Sequence, residues 1–174
     1  MKNITKIILL VGILALTGFP NKGRAEDNSP APQTLIQRIL PGYASQFSIE
    51  VVPSDGTDWF ELSSKGDKIV LRGNNGVSVA SALYYYLTEY AHCQITWNGT
   101  NLKLPAKLPL VSTLIHKKTP YEYRYYLNYC TFNYSMSWWN WDRWEKEIDW
   151  MALHGINMPL AITGEETIWD EVYR

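Results

Sequence analysis

The sequence predicts an α/β protein: a small mixed α/β unit followed by the first one and a half βα units of a second, parallel-stranded domain. Three observations carry this. Short β-type runs at Phe47 to Val52, Trp59 to Ser64 and Lys68 to Gly73 precede a helix-period stretch that starts near Gly76. The amphipathic stretch "SWWNWDRWEKEIDWMALHG" runs straight into the largely apolar "INMPLAIT", as a helix does before a parallel strand covered on both faces. A T-x-x-E pattern at Thr163 and Glu166 then opens another helix as a capping box.

The chain begins with Lys2 and Lys6, then the apolar run Ile7 to Leu16, then the small-residue stop Gly23 to Ala25. That order is a secretory leader, which assigns residues 1–25 to a signal peptide and the rest to an exported protein, periplasmic or extracellular. As a helix the apolar run rises only about 15 Å, roughly half a bilayer core, so no membrane association is expected after cleavage. Glu26 to Gln33 is polar and proline-rich and reads as a linker. The remainder suffices for one ordinary domain, or for a small domain and the start of another. With 16 basic against 17 acidic side chains, bulk charge steers no polyanion, and nucleic acid is excluded as a partner. A hydrophobic content of 46% is that of a globular chain, and the 14% aromatic content directs attention to sugar stacking.

Residues 34–115 read as the small domain. Leu35, Ile36, Ile39 and Leu40 fall at helical spacing, and Pro41-Gly42 ends that helix. The three β-type runs follow, separated by "PSDGTD" and by the tight "KGD". Val79, Leu83, Tyr86, Leu87 and Tyr90 then form one helical stripe facing those strands. Gln94 to Trp97 reads as one more strand, and the proline-punctuated segment after it as a connector to Pro120.

Residues 121–174 read as the start of the second domain. Alternation along "YEYRYYLNYC" sends Tyr123, Tyr125 and Leu127 to one face and Arg124, Tyr126 and Asn128 to the other. In the next helix Trp141, Trp144, Ile148, Met151 and Ala152 form the expected buried stripe, with Arg143, Lys146, Glu147 and Asp149 on wetter faces. His154 in the last turn and Gly155 at a left-handed cap specify its end. Strand, helix, strand and helix start are a βα repeat, and with Arg174 falling inside the second helix the chain is expected to be a fragment.

Candidate chemistry is local. Asn128, Cys130 and Thr131 lie at or beyond the end of the strand that opens the βα series, where α/β domains build their sites. Glu165 and Glu166 invite an acid/base proposal, but adjacent helical residues project about 100° apart, whereas glycosidase carboxyls face each other across a bond. Helix capping is the stronger reading for them. Arg124 is a candidate buried ion-pair partner, while Trp138 and Trp139 precede the stripe. Cys93 and Cys130 are a disulfide, buried thiols or pocket-lining thiols. His92, His116 and His154 show no metal spacing, and no phosphate loop or nucleophile elbow occurs, so neither metal nor cofactor is expected. Asn98-Gly99-Thr100 and Asn133-Tyr134-Ser135 match glycosylation acceptors.

From Arg124 to Trp169 the chain resembles the N-terminal part of the α-N-acetylglucosaminidases, glycoside hydrolase family 89. The shared pattern is R-Y-Y-x-N-x-C-T, then W-W-x-W-x-R-W-E-x-E-I-D-W-M-A-L, then G-x-E-x-x-W, with looser agreement over "GVSVASALYYYLTEYAHCQITW" upstream. The resemblance implies a small α/β domain leading into a (β/α)₈ TIM barrel. It implies removal of terminal α-linked N-acetylglucosamine from glycans, by a retaining mechanism with two glutamates. By position, Asn128 and Cys130 correspond to pocket-lining residues around the terminal sugar. Both catalytic glutamates of the family lie further along, on later strands, so this chain is expected to be inert alone, and Glu165 and Glu166 do not replace them. A non-catalytic carbohydrate-binding module and a non-functional remnant are the alternatives.

Overall fold

The computed structural model describes residues 30–54, 56–130, 132–161 and 164–174. The leader, the linker up to Ser29, Thr131 and the Thr163 half of the capping box lie outside the described residues. Helix α1 spans Ala31–Ile39 and so begins inside the stretch read as linker. Pro32 explains this: in a first turn its missing N–H costs nothing, and its ring is buried here. The helix closes where the Leu40 N–H reaches the Ile36 carbonyl at 2.8 Å, just before Pro41.

Strands β1 (Phe47–Val51), β2 (Trp59–Lys65) and β3 (Lys68–Gly73) follow as expected, with Gly66 at φ +63° turning the β2–β3 hairpin. Helix α2 (Gly76–Glu89) starts at Asn75, whose Oδ1 accepts the Ser78 N–H at 2.9 Å. A short hairpin, β4 (Gln94–Thr96) with β5 (Gly99–Asn101), comes next, then β6 (Ile115–Lys118). Sequence reading left β5 and β6 in the connector. Three of the four β6 residues are polar, so it carries no apolar alternation, and it lies at the outer edge of the sheet, where charged side chains are favoured.

The main sheet runs β1-β3-β2-β6. β1 pairs parallel with β3, Phe47 opposite Ile69, and β2 pairs antiparallel with both β3 and β6. Helix α2 covers it, burying Val79, Leu83, Tyr86 and Leu87 against Phe47, Leu62, Ile69 and Leu71. Each such side chain contributes about 1.5–3 kcal/mol of burial. Tyr86 is fully enclosed yet satisfied: its hydroxyl donates to the Pro109 carbonyl at 2.9 Å, and its ring meets Phe47 edge-on at 5.7 Å.

The second region opens with β7 (Tyr125–Tyr126), a π-helical turn at Phe132–Met136, helix α3 (Trp141–Leu153), strand β8 (Met158–Pro159) and helix α4 (Glu165–Tyr173). β7 and β8 pair in parallel, Tyr125 opposite Met158, as the βα reading requires. The region is a strand, helix, strand and helix start packed on the small α/β domain through α2 and α3. The alternation expected along residues 121–130 holds from Tyr123 to Tyr126, with Tyr123 and Tyr125 exposed and Arg124 and Tyr126 half-buried, and breaks at Leu127, whose φ of +76° ends β7 after two residues. Gly155 takes the left-handed cap at φ +75°.

Helix α3 departs from its expected orientation. Trp141 and Ile148 of the expected stripe are exposed, Met151 is buried, and the two acids assigned to wet faces, Glu147 and Asp149, are buried. The cause is polar partners contributed by distant segments, which hydropathy periodicity does not register.

Candidate functional site

The candidate site sits at the carboxyl end of the β7–β8 pair. Main-chain bonds define that pair: Leu160 N–H donates to the Tyr126 carbonyl at 3.0 Å and Met158 N–H to the Arg124 carbonyl at 3.3 Å. Pro159, opposite Tyr126, offers no donor, so the ladder is short. Past it, Leu127 adopts a left-handed backbone that side chains seldom take, a type of position that concentrates at ligand sites. Asn128 closes the turn by accepting the Cys130 N–H on Oδ1 at 2.9 Å. Asn128 is exposed and Cys130 half-buried, so the two side chains predicted to line a pocket stand together at the strand's end.

Glu165 and Glu166 occupy the first turn of α4, both exposed, after Gly164 at φ +88°. Adjacent positions on one helix do not face each other, so they remain complementary charges at a helix N-terminus. The cysteines are unpaired: Cys93 is buried, and burial pushes its thiol above the ordinary range. Trp138 is almost fully exposed, whereas Trp139 packs on Trp144 with centroids 5.2 Å apart and lies 3.8 Å from the Arg143 guanidinium.

Three polar links hold this end against the small domain. Arg124 is the ion-pair partner anticipated for it. Its guanidinium bonds the Asp58 carboxylate and the Gly155 carbonyl, and its Nη1 donates to the Tyr121 carbonyl at 3.0 Å. Asp58 in turn accepts the Asn75 amide at 2.6 Å, so the clasp reaches the cap of α2. A second link joins Arg38 of α1 to Asp149 of α3.

The third centres on Glu147, only 1% exposed. Its Oε1 accepts from the Tyr126 hydroxyl at 2.7 Å and the Trp97 indole at 2.9 Å, and its Oε2 from Arg143 at 3.0 Å. Burial and the Glu147 carboxylate together drive the Tyr126 phenol well above its ordinary value. Beside these links lies a cleft of about 640 Å³ between the β4–β5 turn and α3, lined by Trp97, Asn98, Arg143 and Lys146. Sequence reasoning missed Asp58, Trp97, Glu147 and Asp149 as joining residues. The available signal was two acids three and one residues before Trp150, inside an otherwise tryptophan-rich helix.

Comparison with known proteins identifies the lineage. The model described as the α-N-acetylglucosaminidase (NAGLU) N-terminal domain matches residues 31–110, and that of the TIM-barrel domain of the same enzymes matches 124–174. Human α-N-acetylglucosaminidase is 42% identical over 170 residues, covering 94% of this chain and 23% of the relative. A family 89 glycoside hydrolase from Clostridium perfringens, solved with 2-acetamido-1,2-dideoxynojirimycin, superposes with a TM-score of 0.78 at 39% identity, over 82% of this chain and 17% of that one. A Glu→Gln double variant from the same organism, in complex with its substrate GlcNAc-α-1,4-galactose, gives 0.77 at 40% identity, over 80% and 16%. The chain thus spans about a quarter of the human relative's length and about a sixth of the solved enzymes'. It belongs to the α-N-acetylglucosaminidase family, glycoside hydrolase family 89, of which it carries the N-terminal α/β domain and the opening of the TIM barrel.

Proposed function

We propose that this chain is the opening part of an exported exo-glycosidase that releases terminal α-linked N-acetylglucosamine from glycans, with retention of anomeric configuration in the complete enzyme. The observation that carries the reading is the turn Leu127–Cys130. It places an exposed Asn128 and a half-buried Cys130 at the carboxyl end of a barrel strand, in a family whose solved member binds an α-linked N-acetylglucosaminide. Asn128 supplies an amide donor and acceptor for sugar hydroxyls, and Cys130 a small, weakly polar wall. Glu165 and Glu166 take no catalytic part. Retention requires two facing carboxyls about 5–5.5 Å apart, which neighbours on one helix do not provide.

The 174 residues alone are therefore expected to be inert. The test is hydrolysis of an aryl α-N-acetylglucosaminide by the full-length gene product, with the anomer of the released sugar followed by NMR. Release of the α-anomer, with KM raised by Asn128→Ala, supports the reading. Absence of hydrolysis by the full-length product, or turnover by the purified 174-residue chain, overturns the corresponding half of it.

A further inference from the structure

The Glu147 carboxylate joins two segments from elsewhere in the sequence, Trp97 of the β4–β5 turn and Tyr126 of β7, to its own helix, where Arg143 one turn earlier supplies a third donor. A buried ion pair is seldom the best route to stability, since apolar side chains of similar volume fill such a space as well. What a fully satisfied carboxylate provides is position: three donors converge on one acceptor group, each with a fixed length and direction. Position matters most at Tyr126. β7 is paired through two residues only, one of them opposite a proline. Two residues further on stands Asn128, beyond the left-handed Leu127. The short ladder fixes the Tyr126 backbone, and its hydroxyl bond to Glu147 fixes the ring end against α3, where Trp97 of the small domain shares the same carboxylate oxygen.

We propose that Glu147 is a positioning residue for the sugar site: through Tyr126 it sets where the Asn128–Cys130 turn stands, and through Trp97 it makes the small domain part of that setting. The inference rests on the reading of Asn128 as a sugar contact, and its test separates the two.

In the full-length gene product, acting on an aryl α-N-acetylglucosaminide, Tyr126→Phe deletes one donor. Glu147→Gln puts an amide N–H₂ against one of the three donors. Both are expected to raise KM about five- to tenfold while kcat stays within about twofold, the signature of lost binding shared by ground and transition states. In an Asn128→Ala background, Tyr126→Phe is expected to add less than about twofold, because it acts through a residue already removed. Full additivity, or an unchanged KM for both single variants, overturns the proposal. If instead Asn128→Ala leaves KM unchanged, the sugar-contact reading fails first. The 174-residue chain gives a readout independent of turnover. Cys93 is buried, so 5,5′-dithiobis(2-nitrobenzoate) reports on the half-buried Cys130. Both single variants, and Trp97→Phe as a third, are expected to speed that reaction about fivefold as the turn loosens. A lower Tm with unchanged thiol reactivity and unchanged KM marks a structural role only and overturns the proposal.

Discussion

Arg38 and Asp149 meet across 111 positions of sequence in a two-point contact, Nε to Oδ2 at 2.9 Å and Nη2 to Oδ1 at 2.5 Å. The pair ties the first helix of the small domain to the helix behind the first barrel strand. The carboxylate holds the Arg38 guanidinium above its ordinary range, chiefly through the hydrogen bond, with burial opposing. Its side chains are unequal in exposure, 35% for arginine and 11% for aspartate, so solvent screens the pair from one side only. Arg38→Met is expected to destabilise by about 1–2 kcal/mol, less than the loss for a fully buried pair. Urea unfolding midpoints at constant m measure it. In the double variant Arg38→Met, Asp149→Asn part of the loss is expected to return, because the stranded charge is gone.

Gly73 ends β3 where α2 crosses it. A Cβ there would stand 2.8 Å from the Ser78 Cβ and 3.0 Å from the Val79 main-chain nitrogen. Neither neighbour is a flexible side-chain tip, so one of them must move. Gly73→Ala is expected to cost about 1–3 kcal/mol by overpacking, and to lower Tm accordingly in a thermal melt. A variant as stable as the parent would mean that the β3–α2 junction yields without cost.

The parts legible in the sequence were those written in local pattern. α1, β1 to β3 and α2 each carried periodicity and a boundary signal such as Pro41, the tight "KGD" turn or Gly76. The parallel βα order around α3 was legible too, because Gly155 marks the helix end and the apolar run after it marks the strand. β6 was not, since a polar edge strand obtains its hydrogen bonds from β2 and not from its own sequence. The orientation of α3 failed for a related reason: Glu147 and Asp149 are buried because Trp97, Tyr126 and Arg38 reach them, and no window of neighbouring residues contains those partners. At the site, strand position singled out Asn128, Cys130 and Thr131, and the family resemblance narrowed these to Asn128 and Cys130. The turn that brings them together depends on the backbone of Leu127, which residue type does not signal.

Glu61 sets an acid limit on the sheet. Its Oε2 accepts from Arg72 at 2.6 Å and its Oε1 faces His116 at 3.3 Å. The Arg72 hydrogen bond holds the carboxyl below its ordinary range, against an opposing contribution from burial, with His116 adding to the lowering. A depressed folded-state pKa gives stability that is fully present above the unfolded value, about 4.3, and is lost as pH falls through the folded value. The stability difference between the parent and Glu61→Gln is therefore expected to persist from pH 7 to about 5 and to shrink below about 4. Urea midpoints at pH 7, 5, 4 and 3 follow it. A difference that does not change with pH would remove the ion pair as its source.

Arg124 bonds Asp58, Gly155 and Tyr121 together, and geometry makes arginine necessary there. A guanidinium presents donors in a rigid planar fork, so one side chain serves a carboxylate and two carbonyls at once, whereas a lysine ammonium is a single mobile point at the end of a shorter reach. Both charges are largely buried, with 19% of the Arg124 and 13% of the Asp58 side chain exposed, so losing either partner strands the other in a poorly solvated place. Arg124→Lys is expected to cost about 2–3 kcal/mol even though the charge is kept. Asp58→Asn is expected to cost less, because its amide still accepts from Asn75. The two changes share one interaction, so a double-mutant cycle on unfolding free energy is expected to show coupling above about 1 kcal/mol. Additive losses would mean that the small domain and the barrel strand are held by the Glu147 and Asp149 contacts without help from this clasp.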